Sequence, residues 1–400
     1  MDAKGAAFGG VQGPRPWPAS LVVPALGAAQ IIAWGSSYYL PAVLAPAIAA
    51  EQGWPLPWVV GGLSLGLVVA GLVSPRVGGL IEVHGGRPVL AASAVLLAAG
   101  LAALSVAPTL PWFVAAWLVI GLGMGSGLYD AAFATLGRAY GESARGKISA
   151  LTLIAGFANT MAWPLSAWLL AHFGWRGTCL GWAALDFVVL VPLYLLAMPG
   201  AAMRAPSMPA RQTAPPPPGQ KLFVLLAVAN TLGQAISAVM SVHLIALLVA
   251  RGVAAGVAVA WGAMLGPAQV GARLVEVATA KRHHPVWTMQ AWTGLVLVGI
   301  GLLFAWPAAL PVALACYGGG VGIGSIARGT VPLALFGPGG YAVRMGRLAL
   351  PNLLAQAAAP MLFAVLLDRA GAHAALGVLA AAALVDMLLT VGVVVLARRR

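Results

Sequence analysis

Two charged residues, Asp130 and Arg328, lie deep inside long apolar stretches of the sequence. Asp130 follows the glycine-rich segment GLGMGSG, and Arg328 follows the similar segment GGGVGIG. A charged side chain near the centre of a bilayer costs at least about 2.5 kcal/mol, so such residues are usually paired or functional. We expect the two side chains to face each other. They would form either a pair that a proton and an anion can break, or a purely structural ion pair.

Other polar residues also fall within apolar stretches. A histidine can carry a proton near neutral pH, and an amide can orient a polar ligand. With Asp130 and Arg328, the candidates for proton coupling or substrate contact are His243, Tyr39, Gln30 and Gln234, and a weaker set is Asn159, Asn352, Gln356 and Arg273. The alternative for each is a structural hydrogen bond between helices, such as one between Gln30 and Gln234. For Asp186 and Asp386, at symmetric positions, we favour a structural role.

The composition shows what kind of protein must hold these side chains. Of 400 residues, 61% are hydrophobic and 8% are charged, and the mean hydropathy is +0.94. Soluble domains contain about 25% charged residues, so the composition excludes a water-soluble globular protein and predicts a membrane protein. The first apolar run is too long for a cleaved signal peptide. Cys179 and Cys316 lie in apolar runs and indicate neither a disulfide framework nor a zinc site.

Apolar stretches bounded by Gly, Pro or charged residues predict twelve transmembrane helices, since one crossing needs roughly 20 residues. The predicted spans fall at about 21–48, 57–79, 88–108, 111–137, 147–172, 176–198, 221–249, 255–277, 285–304, 307–330, 345–367 and 373–397. We therefore predict an all-α integral membrane protein made of two pseudo-symmetric six-helix bundles. Its parts would be a disordered tail at 1–18, a bundle at 19–198, a cytoplasmic Pro-rich linker at 199–220 and a bundle at 221–400.

The basic residues predict the orientation of these spans. The net charge is +13, and nineteen of the 22 Lys and Arg residues fall on one side of the predicted topology. Cytoplasmic loops carry such an excess, so we expect a multi-pass protein of the cell membrane with both termini in the cytoplasm. A nucleic-acid partner would need a basic patch on a soluble face, and the sequence offers none.

The two halves share polar and glycine positions at offsets near 200. Gln30 matches Gln234, and Asp186 matches Asp386. The glycine runs at 121–127 and 318–324 also match, and their small residues should allow close helix approach. We predict a duplicated six-helix unit, and duplicated halves around a central site are a transporter architecture.

Short motifs carry a family resemblance. The segment GGLIEVHGGRPVL resembles the cytoplasmic signature of the major facilitator superfamily. The segments GLGMGSGLYDAAF and ARGKISALTLIAGFANTMAWPLSAWLLAHFGWRG resemble the branch with monocarboxylate and oxalate/formate carriers. The resemblance implies that spans 1, 4, 7 and 10 line a central cavity. It also implies a cytoplasmic gate containing Gly78, Glu82, Gly85 and Arg87, with Glu276 as the counterpart in the second half.

These observations together predict a secondary active transporter that works by alternating access. We favour proton-coupled uptake of a small, monocarboxylate-like organic anion by a monomer that contacts its substrate and membrane lipids. The alternatives are proton-driven efflux of a toxic or amphipathic molecule, and a membrane sensor on a carrier fold. We expect no enzyme activity, no metal site and no cofactor, because the six histidines are scattered and a nucleotide-binding motif is absent.

Overall fold

The computed structural model describes residues 18–198, 219–305 and 309–398. The predicted tail at 1–18 and linker at 199–220 lie almost entirely outside the described residues. Within the described ranges, every regular element is a helix. The prediction of an all-α protein is therefore confirmed for this part of the chain.

Nine α-helices lie in the described part of the first half, residues 18–198. They are α1 (Ala19–Ser36), α2 (Pro41–Gln52), α3 (Leu56–His84), α4 (Gly86–Ser105), α5 (Leu110–Gly127), α6 (Tyr129–Tyr140), α7 (Ala144–Ala155), α8 (Ala158–Leu185) and α9 (Val191–Ala197). A 3₁₀ turn, Gly141–Ser143, joins α6 to α7, and a π-helical turn, Asp186–Leu190, joins α8 to α9.

Six helices follow within the described residues 219–305 and 309–398. They are α10 (Gln220–Ala250), α11 (Ala255–Ala263), α12 (Leu265–Thr279), α13 (Pro285–Ala305), α14 (Leu310–Phe336) and α15 (Tyr341–Arg398). A 3₁₀ turn, Ala280–Arg282, joins α12 to the segment before α13. The predicted spans 1, 4, 5 and 8 are thus each divided into two helices by a short break.

Glycines with positive φ interrupt two of the long helices, α8 and α15. Gly174 within α8 has φ of +65°, and Gly371 within α15 has φ of +77°. These angles lie in the left-handed region that side chains with a Cβ atom disfavour, so glycine permits a reversal of direction at both places.

Eight helical stretches of the described residues are long and apolar enough to cross a membrane. Two of them, Leu110–Ala197 and Tyr341–Arg398, contain 88 and 58 residues, far more than the roughly 20 residues of a single crossing. Length and composition therefore support a multi-pass membrane protein, without giving the number of crossings directly.

The buried apolar side chains form two cores. One lies mainly among α1 to α9, and the other lies among α10 to α15. The glycine runs bring helices close together in both cores, as predicted. A Cβ atom at Gly121 would lie 2.6 Å from the Gly66 carbonyl oxygen, and one at Gly322 would lie 2.5 Å from the Gln269 carbonyl oxygen. A larger residue at Gly121 would push α3 away from α5, and a larger residue at Gly322 would push α12 away from α14.

Candidate functional site

A narrow cavity lies between the two halves, beside the ends of α1, α5 and α6. Its lining residues are Trp34, Tyr38, Leu67, Ala70, Ser74, Met124, Gly125, Leu128, Tyr129, Asp130, Arg328, Leu353 and Gln356. Only about 20 Å³ of it is wide enough for the centre of a water molecule, which is room for about one water. The walls of this cavity are therefore nearly in contact in this conformation.

Asp130 and Arg328 meet at this cavity. One Asp130 carboxylate oxygen lies 3.6 Å from an Arg328 guanidinium nitrogen, and the side chains are only 16% and 11% exposed. Asp130 is in the first turn of α6, where the helix dipole favours a carboxylate. The break at Leu128, between α5 and α6, creates this helix start in the middle of a predicted span. The structure thus brings together Asp130 and Arg328, the two charged residues that follow the glycine runs in the sequence.

Arg273 of α12 is a second guanidinium in the interface between the halves, and it is 6% exposed. Its Nε donates a 3.1 Å hydrogen bond to the Gly322 carbonyl, and one Nη donates a 3.4 Å bond to the Gln269 side chain. The other Nη is buried without a hydrogen-bond partner among the described residues. That nitrogen lies against Gly156, in the break between α7 and α8 of the opposite half. Arg273 was only a weaker candidate from sequence, yet it reaches across the interface.

Aromatic rings cover the cavity on the side of the first half. Trp34 lies 5.1 Å from Tyr38, 5.9 Å from Tyr39 and 5.0 Å from Tyr129, measured between ring centroids. The ring of Trp163, in α8, lies 6.2 Å from the ring of Tyr39 and is the last member of this group of aromatic contacts. We call Trp34, Tyr38, Tyr39, Tyr129 and Trp163 the aromatic cluster.

Tyr39 was the only member of the aromatic cluster predicted from the sequence, and the four members that were missed are Trp34, Tyr38, Tyr129 and Trp163. The spacing of four residues between Trp34 and Tyr38, and the position of Tyr129 next to Asp130, were the available signals. Both Arg273 and Arg328 lie within electrostatic range of the Tyr129 hydroxyl. The cavity therefore combines aromatic surface with one carboxylate and the Arg328 guanidinium, and the Arg273 guanidinium lies close to one of its aromatic residues.

Gln30 and Gln234 are not joined across the halves. Gln30 is fully buried, and its amide nitrogen donates a 2.7 Å hydrogen bond to the Gly127 carbonyl at the end of α5. Its amide oxygen accepts a 3.2 Å bond from the Trp34 indole. Gln234 is half-buried in α10. Gln30 thus holds the break before Asp130 in place and orients a ring of the aromatic cluster.

The remaining predicted polar residues have separate surroundings. The Nε2 of His243 lies 2.9 Å from the Pro360 carbonyl, and its ring lies 5.3 Å from that of Phe363. Asn352 accepts a 3.0 Å hydrogen bond from Thr231, which links α15 to α10.

The last two polar candidates differ in their relation to the central cavity. Gln356 lines it, whereas Asn159 lines a separate open groove beside α2. Of the weaker set, only Gln356 and Arg273 therefore lie near the charge pair.

The halves approach most closely through α3 and α15, near the predicted cytoplasmic gate. A Cβ atom at Gly78 would collide with the Ala342 carbonyl, and one at Gly346 would collide with the Ser74 carbonyl. Gly71, farther along α3, would place a Cβ atom 3.2 Å from the Leu350 carbonyl. The contact is therefore one of backbone against backbone.

The other predicted gate residues surround this contact. The Arg138 guanidinium donates a 2.9 Å hydrogen bond to the Glu82 carbonyl, and Gly85 has φ of +84°, which allows the turn into α4. Arg87 is half-buried in the first turn of α4. These residues form the turn between α3 and α4.

Glu276 holds the corresponding turn of the second half. Its carboxylate accepts a 2.7 Å hydrogen bond from Thr288 in α13 and lies 3.5 Å from His283. Arg145 of the first half donates a 2.9 Å bond to the His283 carbonyl. The two halves are thus joined by polar contact on this side as well.

Comparison with solved structures identifies proteins that have a similar fold. No model of a protein family and no curated protein matches the sequence. The human organic anion transporter MFSD10 (TETRAN) is similar in structure, with a TM-score of 0.74, 20% identity, and coverage of 93% of this chain and 99% of that chain.

Two other solved structures show the same likeness. The major facilitator superfamily transporter FucP, in the outward conformation, gives a TM-score of 0.72 with 13% identity over 94% of this chain and 99% of that chain. The proton:xylose symporter XylE gives 0.68 with 12% identity over 92% and 94%. None of these three proteins is described as a monocarboxylate carrier, so that finer resemblance stays a prediction. The likeness shows that this chain has the fold of the major facilitator superfamily transporters.

Proposed function

We propose that this protein is a secondary active transporter of small organic anions that works by alternating access. The observation that carries the proposal is the charge of the interface between the halves. Asp130 is paired with the Arg328 guanidinium, and a second guanidinium, Arg273, is 6% exposed in the same interface and has one nitrogen without a hydrogen-bond partner among the described residues. A carboxylate substrate would satisfy that nitrogen and balance the excess positive charge.

The same proposal includes a topology of twelve crossings. The positive-φ glycines Gly141, Gly174 and Gly371 divide the two longest helical stretches, Leu110–Ala197 and Tyr341–Arg398, into segments of a length comparable to one crossing. Two bundles, at 19–198 and 221–400, would then face each other across the cavity, with both chain ends in the cytoplasm of a cell. The separate apolar cores of the two halves support this division.

Asp130 is the residue through which we propose proton coupling. A proton from the outer solution would add to the Asp130 carboxylate and remove its attraction for Arg328. Arg328 would then be free to hold the carboxylate of the substrate together with Arg273. When the proton leaves on the cytoplasmic side, the Asp130 carboxylate forms its ion pair with Arg328 again and displaces the anion. The 3.6 Å separation of the pair, which no side-chain hydrogen bond tightens among the described residues, supports such an exchange.

The aromatic cluster indicates the rest of the substrate. Three rings of the cluster, Trp34, Tyr38 and Tyr129, line the cavity together with the charge pair, and aromatic side chains bind apolar groups by stacking and edge contacts. We therefore propose an anion with an apolar or aromatic body. The same surface favours export of an amphipathic anion as the second candidate function.

The contacts between the halves support a conformation that is closed on the predicted cytoplasmic side. The crossing of Gly78 with Ala342, that of Gly346 with Ser74, and the bond from Arg145 to His283 all lie there. In alternating access these contacts would separate while the opposite side closes.

A liposome assay tests the proposal. The purified protein is reconstituted, and internal pH is recorded while aliphatic and aromatic carboxylates are added outside. We expect substrate-dependent acidification by the native protein, and its loss in Asp130→Asn and Arg328→Gln. The matched controls are Asp368→Asn and Arg76→Gln, which change the same chemical groups at exposed positions.

Two outcomes would contradict the proposal. Absence of flux with every carboxylate would exclude anion uptake, and loading the anions inside the vesicles would then test export. Flux that persists in both cavity variants would exclude the charge pair from the mechanism.

A further inference from the structure

A second carboxyl group, Asp186, lies away from the central cavity in the core of the first half. It is the first residue of the π-helical turn between α8 and α9, and it is 0% exposed. Neither carboxylate oxygen has a hydrogen-bond partner among the described residues. Single π-helical turns inside longer helices frequently mark functional sites.

Among the residues that the structure describes, no cation pairs with the Asp186 carboxylate or is a neighbour that would neutralise it. Ser36, the last residue of α1, lies beside the carboxyl group, but its hydroxyl donates to the Ala33 carbonyl at 3.3 Å. The hydroxyl of Tyr194 in α9 is also buried without a hydrogen-bond partner among the described residues. Tyr194 lies beside Gln30, and its hydroxyl is within electrostatic range of Asp186.

The helices packed against this turn are α1, α4, α8 and α9. Helix α1 contains no titratable residue, and α9 contains only Tyr194. In α4 the one charged residue is Arg87, in the first turn at the end next to the gate. The titratable residues of α8 are His172, Arg176 and Cys179. Even Cys179, the nearest of these, precedes Asp186 by about 10 Å along a helix.

A charged Asp186 is not compatible with this environment. The effective penalty for burying an unpaired ion is several kcal/mol, and buried groups respond by taking up the proton that neutralises them. We propose that Asp186 carries a proton in this conformation and is a proton-binding site separate from Asp130. The proton would come from water on the outer side and would leave to cytoplasmic water after the conformational change.

The position of Asp186 links its proton to movement of α1. Ser36 is the point at which α1 ends, and Ser37 then departs from helical angles with φ of −123° and ψ of −77°. Tyr38 and Tyr39 belong to the segment after this break, and their rings contact Trp34 beside the cavity. A change in the angle of α1 would therefore move the aromatic cluster and uncover Asp186 together. This part of the inference rests on the proposed transport function.

Asp386 provides a comparison within the same molecule. It matches Asp186 in the repeat, is 2% exposed and lies beside Gly233 of α10, the counterpart of α1. However, α15 is regular around Asp386, and α10 continues without a break from Gln220 to Ala250. Asp386 should hold its proton throughout the cycle, whereas Asp186 should exchange it.

The test of proton binding is infrared difference spectroscopy on the full-length protein in lipid. A protonated carboxyl group gives a carbonyl stretch that shifts in D₂O, and Asp186→Asn should remove one such band. Asp386→Asn should remove a different band, one that exchanges more slowly with D₂O. Persistence of every carboxyl band in Asp186→Asn would overturn the proposal, and the result does not depend on whether a substrate is known.

The second arm measures coupling with the best carboxylate from the liposome panel. Asp186→Asn should lower the number of protons moved per substrate by one, while substrate exchange between the two sides continues. Asp386→Asn should leave that ratio unchanged. An unchanged ratio in Asp186→Asn, or loss of exchange together with net uptake, would limit Asp186 to a structural role. If no carboxylate is transported by the native protein, the transport proposal fails while the infrared result still decides the proton site.

Discussion

The two walls of the central cavity are built on the same repeated scaffold but carry different chemistry. Glycine runs in α5 and α14 draw the neighbouring helices together in both halves. The first half presents aromatic rings and Asp130 to the cavity, whereas the second half presents Arg328 to the cavity and Arg273 to the adjoining interface. The duplicated positions therefore keep the helices in place, while the proposed substrate site lies at positions where the halves have diverged.

The largest expected effect comes from removing a positive charge contributed by the second half. Arg273→Gln should weaken substrate binding by about 100-fold, because loss of a buried charged partner costs about 2–5 kcal/mol. Arg273→Lys should recover only part of the loss, since an ammonium group cannot reproduce the guanidinium geometry. Titration calorimetry and the KM of uptake measure the effect. Binding that equals that of the Arg76→Gln control would mean that Arg273 does not contact the substrate.

The second test addresses the place where the two halves cross. Gly78→Ala would insert a methyl group against the Ala342 carbonyl, whereas Gly79→Ala, one residue later, has no atom within 4 Å of the new group. Overpacking costs about 1–3 kcal/mol, so Gly78→Ala should shift the equilibrium away from this conformation by roughly ten-fold.

Spin labels at Glu142 and Lys281, which are exposed on opposite halves near the bond from Arg145 to His283, report the shift as a longer distance. Gly79→Ala is the matched control and should leave the distance distribution unchanged. Equal behaviour of the two variants would show that the crossing of α3 and α15 does not limit the closure.

The smallest expected effect concerns the aromatic wall. Trp34→Leu removes one aromatic ring from the cavity lining, and one ring contact with an aromatic substrate contributes about 0.5–1.5 kcal/mol. Uptake of aromatic carboxylates should fall several-fold, while uptake of short aliphatic acids should change little. Competition assays with the two classes measure the ratio, and Trp58→Leu, on a 61% exposed residue, is the control. An equal loss for both classes would mean that Trp34 stabilises the fold rather than the substrate.

The fold and the charge pair were accessible from the sequence. A low charged fraction and long apolar runs leave the α-helix as the natural element, because backbone groups in lipid must bond within their own segment. The repeated glycine runs aligned Arg328 within one position of Asp130, so the pairing followed from symmetry.

The rest of the site depends on where helices break, which the apolar pattern does not reveal. The break at Leu128 makes Asp130 a first-turn residue and exposes the Gly127 carbonyl to Gln30. The break around Gly156 makes room for Arg273 from the other half. A break inside an apolar run leaves the hydrophobicity unchanged, so sequence periodicity treats each such segment as one helix.

The closeness of the cavity walls has a kinetic consequence. About 20 Å³ of free room is far below the roughly 300–1,000 Å³ of an ordinary ligand pocket. A substrate can therefore enter only during transient separation of the walls, and such motions occur in microseconds to milliseconds. Arrival is then governed by the opening rate rather than by diffusion. In a rapid-mixing experiment, the observed binding rate should stop rising at high substrate concentration and level off at that opening rate.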